Sequence, residues 1–559
     1  MCGINGFLSP PAANPGDMHG IITGMSLALS HRGPDSQGIW QDPMAGIALG
    51  HRRLAILDLT QEGHQPMHSA QGRYVIIYNG EVYNFQALRD ELGHVNYRGH
   101  SDTEVILAGV EAWGLEATLQ KMHGMFALAL WDRRQRELLL ARDRAGEKPL
   151  YYGCVGSSLV FASELKALRC FPGWTGKVNP RALGCYFHLG YVPAPASIYQ
   201  GIYKLPPAAC LRMSAKQIPD LPAPRTYWSA DELSAEPGLA DGCENDQETI
   251  ARLEQLLLSA VGQQMISDVP LGAFLSGGID SSLVVALMQA QSARPVKTFS
   301  IGFQESGYNE APFAAAMARQ LGTNHTELYV TSRQALDVVP RLPQIYDEPF
   351  ADSSQIPTYL VSQLARQHVT VSLSGDAGDE LFGGYDRYYL GLRLQTWLRY
   401  TPDWARRGLS DGILAKITPS AWDRKISWLR HLPVISRFRV TGDRIHKLAG
   451  LLNPDGSDSV YASLLACWPD PQGLLIESPS GWEGIISDSL PAVSSLSPLR
   501  QMMSQDFHQY LPGDILAKVD RAAMAVSLET RIPMLDPRVM QNFRMIMRDI
   551  NGMNLAAPC

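Results

Sequence analysis

The sequence predicts two unlike folded units in one chain, an α+β unit rich in short strands followed by an α/β unit built on a parallel sheet. Three observations lead there. At 559 residues the chain exceeds what one ordinary core supports, which points to two to four domains. From Cys2 to about Ala209 it is dense in short β-type runs punctuated by Gly, Asn and Asp. From Val269 a buried-strand pattern delivers the chain into a small-residue loop and a helix, with a further strand at Lys297 to Phe303.

Composition narrows the function classes. Hydrophobic residues make up 45% of the chain, as in a soluble globular protein. No run approaches the roughly 18 to 20 apolar residues that span a bilayer, and no basic segment followed by an apolar stretch opens the chain. A cytoplasmic protein without a membrane partner is expected. The eight cysteines show neither CxxC nor Cys/His spacing, which argues against zinc and against a disulfide framework. All but Cys2 are read as packing thiols. A net charge of -7 offers no general attraction for nucleic acid, and the Arg and Trp residues between Trp397 and Arg439 read as a helical surface.

In the first unit, strands are expected at Tyr74 to Tyr78, Phe126 to Trp131 and Glu137 to Ala141, and helices near His19 to Ser30 and Asn84 to Leu92. Cys2 follows Met1 directly; removal of Met1 puts an α-amine and a thiol on one residue, and the amine can act as base for its own thiol. Around it lie His31-Arg32-Gly33-Pro34-Asp35, Gly50-His51-Arg52-Arg53-Leu54, Tyr78-Asn79-Gly80-Glu81-Val82-Tyr83-Asn84 and Gly99-His100-Ser101-Asp102-Thr103-Glu104. A thiol amidase needs donors where negative charge develops on oxygen, which the Asn79 side chain and Gly80 N–H could supply. Arg53 could bind an α-carboxylate, and Glu81 with Asp102 an α-ammonium. Singly, Asn-Gly is equally a turn, an Arg pair a solvated surface, and Asp102 a helix cap.

Together, and in this order, these motifs resemble the class II glutamine amidotransferases over residues 2 to 210. The resemblance implies a four-layer αββα sandwich of the Ntn-hydrolase type. It makes Cys2 the nucleophile, Asn79 and Gly80 the oxyanion hole, and Arg53, Asn79, Glu81 and Asp102 the glutamine grip. The segment Ala141 to Tyr152 resembles a stretch that packs near the domain junction in that family.

Residues 211–245, rich in Pro, Ala, Asp and Glu, are read as a linker, and a helix is expected from Asp246 to Met265. Next come Val269 to Leu275 and Ser276-Gly277-Gly278-Ile279-Asp280-Ser281-Ser282, then a helix through Gln289. Strand, small-residue loop and helix N-terminus make an anion site, where backbone N–H groups converge with the helix dipole. The lysine of a Walker A loop is missing, so a γ-phosphate cradle is not expected. A second acidic loop, Ser372-Leu373-Ser374-Gly375-Asp376-Ala377-Gly378-Asp379-Glu380, closes another strand. Asp280 and Asp379 are candidates for Mg²⁺, which prefers oxygen ligands, or else helix caps.

This pattern resembles the N-type ATP pyrophosphatases, with Leu275, Ser276, Gly277, Gly278, Asp280, Ser281, Ser282, Ser374 and Gly375 on ATP. The stretches Leu381 to Tyr385, Leu511 to Ala522 and Ser527 to Asp536 extend the resemblance, over nearly the whole chain, to the glutamine-hydrolysing asparagine synthetases. It implies glutamine hydrolysis, an internal ammonia channel, adenylation of aspartate, Asp376 and Tyr385 on the acceptor side, no nucleic-acid partner, and a homodimer. An acid and a phenol on one loop could manage the proton that ammonia sheds.

Two departures stand out. In the family a lysine in a Gly-Lys helix follows the Pro-Met-Leu-Asp segment; here 23 residues follow Asp536 and none is lysine. A shortened synthetase end with weakened synthesis, at the extreme a glutaminase-only relative, is therefore expected. Residues from about Gly391 to Arg500 read as a helical insertion. It resembles a bacterial branch in which some members amidate sugar acids instead of aspartate, and it reads equally as extra packing.

Overall fold

The computed structural model describes residues 2–10, 16–229, 246–304, 309–409 and 496–541, with short pieces at 417–418, 420–424, 442, 460–468, 471–475, 481–488 and 490. Among the described residues of the first 228, twelve strands form two sheets. In chain order they are β1 (Gly3–Leu8), β2 (Ser36–Asp42), β3 (Ile47–Arg53), β4 (Met67–His68), β5 (Tyr74–Val82), β6 (Gly124–Asp132), β7 (Glu137–Arg142), β8 (Tyr151–Val155), β9 (Ser158–Ala162), β10 (Ile202–Lys204), β11 (Ala209–Met213) and β12 (Arg225–Thr226). One sheet runs β10-β8-β9-β1-β3-β2 and the other β12-β11-β7-β6-β5-β4, with antiparallel neighbours throughout.

The layering follows from the pleat, which sends successive side chains to opposite faces. In β5, Val75 and Ile77 meet Ile4, Ile47 and Leu49 of the other sheet, while Ile76 and Tyr78 meet Val105, Ile106 and Val110 of the helix Asp102–Trp113. On the far side, Phe7 and Ala48 pack on Met18, Ile22 and Met25 of the helix Met18–Leu27. Apolar residues on both faces of both strands thus produce helix, sheet, sheet and helix in four layers. Each fully buried Leu or Ile contributes about 1.5 to 3 kcal/mol to that stack.

Three expectations shift. The strand expected to end at Tyr78 runs to Val82, because β6 pairs with it throughout, Tyr74 opposite Asp132 and Val82 opposite Gly124. Asn79-Gly80 is therefore strand and not turn. Of the residues expected as linker, 211–213 and 225–226 are strand residues of the second sheet. There β12 pairs with β11, and Tyr227 donates its N–H to Ala208 and its hydroxyl to the Arg142 carbonyl (2.9 Å). The helix expected over His19 to Ser30 spans Met18–Leu27, capped by the Asp17 carboxylate on Gly20 N.

The third sheet is fully parallel. Its strands are β13 (Leu271–Phe274), β14 (Lys297–Phe303), β15 (Asn324–Val330), β16 (Val371–Leu373) and β17 (Glu529–Arg531), in the order β15-β14-β13-β16-β17. The chain steps from β13 to β14 on one side and returns to β16 on the other. The carboxyl end of β13 is therefore a topological switch point, where open α/β sheets bind ligands. Helices precede and follow it at Asp246–Gln264 and Ile279–Ala290.

Described parts of the 391–500 region include helical segments, among them the end of Asp386–Tyr400, Val460–Leu465 and Trp482–Asp488. Tyr308, residues 443–448 and the tail beyond Gln541 lie outside the described residues. The two units share one apolar cluster, in which Leu54, Ile56, Tyr83, Met125 and Ala145 pack with Leu275, Leu373, Leu511 and Ile532. Beside it the fully buried Arg32 grips Asp520 with two hydrogen bonds of 2.9 Å and Glu164 with one of 2.7 Å.

Candidate active sites

Cys2 stands at the mouth of β1, buried, with its N–H on the Asn79 Oδ1 at 2.8 Å. In this structure that nitrogen is the peptide amide after Met1 and occupies the position of the α-amine that Met1 removal would expose. Arg32 Nε holds the Cys2 carbonyl at 3.1 Å. Burial pushes the thiol above its ordinary pKa, and the Arg53 charge acts in the opposite direction.

Asn79 has one side-chain atom still available. Its Oδ1 faces Cys2, and its Nδ2, fully buried, has no hydrogen-bond partner. Gly80 offers a second donor. Tyr78 and Val82, of the same parity in the strand, send their N–H groups away from β6, to Gln65 Oε1 (2.6 Å) and Asp102 Oδ2 (2.9 Å). The Gly80 N–H lies between them on that side. Its partner residue Phe126 gives its own N–H and C=O to Asp143. A Cβ on residue 80 would meet the Met125 carbonyl at 2.2 Å, so only glycine fits.

Asp102 is not the helix cap; Ser101 takes that role on Glu104 N, and the Asp102 carboxylate turns inward to Val82 N. Burial raises its pKa to about 6. Glu81 is pushed well above the carboxylate range by burial and by Asp102, against the pull of Arg531. Arg53 donates to the carbonyls of Thr60 (2.9 Å), Leu57 (3.4 Å) and Asp58. Those bonds orient the guanidinium and leave Nε and part of Nη1 for a ligand. Cys2, Arg53, Asn79, Gly80, Glu81 and Asp102 thus converge on one site. Of the two acids, Asp102 is the carboxylate ionised at neutral pH, and Glu81 ionises only when a cation arrives beside it.

At the second site Leu275 N–H bonds Phe299 O across the sheet, and the loop closes on hydroxyls. Ser276 Oγ lies 2.9 Å from Ser281 Oγ and accepts from Gly278 N at 3.2 Å, while the Ser282 hydroxyl, buried, has no partner. Gly277 has φ of +84°, and a Cβ there would meet the backbone of Phe313 and Ala314 at 2.7 Å. The loop from Ser374 lies against it: a Cβ at Gly375 would meet Ser281 N at 2.6 Å, and one at Gly378 the Asp280 carboxylate at 2.4 Å. The predicted nucleotide residues are all brought together.

Asp280 has a pKa raised to about 6 by burial and by Asp379 and Asp376, and Asp379 is raised by burial and by Asp376. No three His, Cys, Asp or Glu side chains among the described residues make a closed metal cage. Two repelling carboxylates at a phosphate loop still fit Mg²⁺, which takes one or two carboxylates together with phosphate oxygens.

Tyr385 and Asp376 are not paired with each other. The Tyr385 hydroxyl donates to Glu380 Oε1 at 2.8 Å, and Asp376 Oδ2 accepts from Ser374 Oγ at 2.5 Å. The turn at Gly383, with φ of +69°, folds the phenol back onto Glu380. Glu380, whose pKa burial raises to about 7, was therefore missed. Lys518 lies in the stretch Leu511 to Ala522 and carries no sequence signal of its own. Its Nζ bonds Asp352 Oδ2 (2.7 Å) and Ser354 Oγ (2.8 Å), and Asp376 adds to the charges that raise its pKa. In the helical insertion, Tyr461 joins Tyr388 and Arg387 on one oxygen of Asp506, and Arg387 stacks 3.9 Å over the Tyr385 ring.

Comparison with known proteins adds to this geometry. Residues 1–228 match the glutamine amidotransferase domain family, and residues 252–546 match the asparagine synthase family. Asparagine synthetase [glutamine-hydrolyzing] 1 of Bacillus subtilis is 33% identical, over 96% of this chain and 79% of its own length. Asparagine synthetase [glutamine-hydrolyzing] 3 of the same organism is 28% identical, over 97% and 80%. Among solved structures, the allosteric regulatory enzyme of purine biosynthesis is 16% identical over 59% of this chain and 80% of its own, with a TM-score of 0.31.

Proposed function

The chain belongs to the family of glutamine-hydrolysing asparagine synthetases and is a ligase, and from that premise we propose that it amidates aspartate to asparagine. Glutamine and ATP are consumed; glutamate, AMP and pyrophosphate are released. The observation that carries the reading is the apolar cluster between the two sites. Leu54, whose carbonyl lies 3.9 Å from the Cys2 sulfur, and Met125 pack in one core with Leu275, which follows β13, and Leu373, which ends β16, both at the entry to the nucleotide loops. An apolar contact between the two sites keeps water out, which favours internal transfer, because ammonia released into water would protonate and lose its nucleophilicity.

At the first site the Cys2 thiol gives its proton to the residue's own α-amine as sulfur bonds the glutamine carboxamide carbon, and the C–N bond then breaks as the amine passes that proton to the leaving ammonia, leaving a thioester. Asn79 Nδ2 and Gly80 N–H receive the developing oxyanion, and water then releases glutamate. Arg53 holds the α-carboxylate, and Glu81 with Asp102 the α-ammonium. At the second site the aspartate side-chain carboxylate attacks the α-phosphorus of ATP and expels pyrophosphate. Ammonia attacks the acyl adenylate, expels AMP, and sheds a proton towards the Asp376 and Tyr385–Glu380 side. Asp280 and Asp379 would hold Mg²⁺, which supplies charge neutralisation at the phosphates. Lys518, held by Asp352 and Ser354, adds a fixed cation.

The test is pyrophosphate release from ATP and ammonium with aspartate, a uronic acid, or no acceptor. Release with the uronic acid alone would replace aspartate by a sugar acid. The channel has its own check. Ala145 is buried in the shared cluster, and Ala145→Leu is expected to raise the glutamate formed per amide product several-fold. Ammonium-dependent synthesis should stay within about twofold, since a plug obstructs only ammonia arriving from Cys2.

A further inference from the structure

Strand β17 is three residues long and touches both sites. Glu529 and Arg531 are two apart, so their side chains leave the same face, towards the glutamine site. Both are fully buried. Arg531 donates through Nε to Glu529 Oε1 (2.7 Å) and through Nη1 to the carbonyls of Gln264 (2.8 Å) and Ile266 (2.7 Å). Its fourth bond, from Nη2 to Glu81 Oε2, is long at 3.4 Å. The strand's other connection leads away from glutamine: the Arg531 carbonyl accepts from Ser374 N at 2.9 Å, and Ser374 Oγ holds Asp376.

We propose that Arg531 is a positioning residue that ties occupancy of the glutamine site to the nucleotide loop at Ser374 to Asp376. The proposal rests on placing the glutamine α-ammonium at Glu81 and ATP at that loop. An arriving α-ammonium takes the carboxylate that Arg531 holds by its weakest bond, and the two cations repel. The guanidinium is drawn onto Glu529, two residues back on the same strand. The Arg531 carbonyl carries Ser374 N–H with it, because a close-packed interior transmits small displacements instead of absorbing them. Linkage then requires reciprocity: nucleotide changes glutamine affinity by the factor that glutamine changes nucleotide affinity. A purely structural arginine would weaken both sites without creating such a factor.

The test uses full-length Cys2→Ala protein, so that glutamine is not consumed, and titrates ATP with Mg²⁺ calorimetrically. Glutamine is expected to shift the ATP dissociation constant about tenfold. Glutaramate, which is glutamine without its α-amino group, is expected to leave it unchanged. Arg531→Lys in the same background should bind both ligands and lose the shift. Should that variant fail to fold, the glutaramate comparison decides alone. ATP binding that glutamine and glutaramate alter equally, or that neither alters, overturns the proposal while leaving the two sites in place. Absence of ATP binding in folded protein overturns the nucleotide loop itself, and the proposal with it.

Discussion

Replacing Cys2 by alanine is expected to lower glutamine-dependent glutamate formation by about 10⁴-fold or more, while ammonium-dependent pyrophosphate release stays within about twofold of the native rate. The asymmetry follows from the division of labour. Removing the thiol deletes the nucleophile, and Asn79 Nδ2 and the Gly80 N–H are left as donors with no oxyanion to stabilise. Among the described residues the Cys2 sulfur makes its hydrogen-bond contact with the Leu54 carbonyl, in the first unit. The Arg32 bond to the Cys2 carbonyl is a backbone contact and survives the substitution, so the junction with Asp520 is retained. Loss of both activities together would show that the sites are not separable.

Asp280→Asn is expected to do the reverse. Ammonium-dependent pyrophosphate release should fall by about 10²-fold or more, as several kcal/mol of charge stabilisation at the phosphates is lost. Glutaminase activity should be unchanged. The same substitution should stabilise the ligand-free protein. Burial and the charges of Asp379 and Asp376 raise the folded-state pKa of Asp280 to about 6. The folded state then holds a proton that the unfolded chain has released, so stability falls as pH rises from about 4 to about 6 and stays low above it. Asparagine removes that repulsion. Because the group is partly exposed, the gain is discounted for solvent screening to about 1 kcal/mol at pH 7, measurable by urea denaturation of native and variant protein. A variant less stable than native would show that the three carboxylates do not repel, and that Asp280 serves instead as a structural cap. Repulsion held in place at a phosphate loop is the expected signature of a site built for a charge it lacks when empty.

Much of both sites was legible from residue types and order. Cys2 behind Met1, Asn79-Gly80 and Asp102 named an amidase, and the loop from Ser276 to Ser282 after a buried strand named an anion site. What could not be read was whatever depends on distant parts of the chain. Asn-Gly in isolation is a turn signal; pairing with β6 overrides it and turns the Gly80 N–H into the pocket. Pro-rich sequence after residue 210 looked like a linker, and two residues of strand at Arg225–Thr226 suffice to keep it on the sheet. Tyr385 reads as sharing the acceptor side with Asp376, and the Gly383 turn delivers its hydroxyl to Glu380. The longest spans were the least visible. Arg32 meets Asp520 across 488 residues, and Arg531 meets Glu81 across 450. Local propensity contains nothing of such pairs; they exist because a buried guanidinium requires a partner wherever the packing of two units places one.

The central claim is that two sites in one chain work as one enzyme, and counting products tests it most directly. Native protein given glutamine, ATP, Mg²⁺ and aspartate is expected to release glutamate and pyrophosphate in a ratio near one, with AMP and asparagine formed in step. Glutamate released at full rate with no pyrophosphate from aspartate, a uronic acid or any other carboxylate supplied would contradict it and leave a glutaminase whose second site does no synthesis.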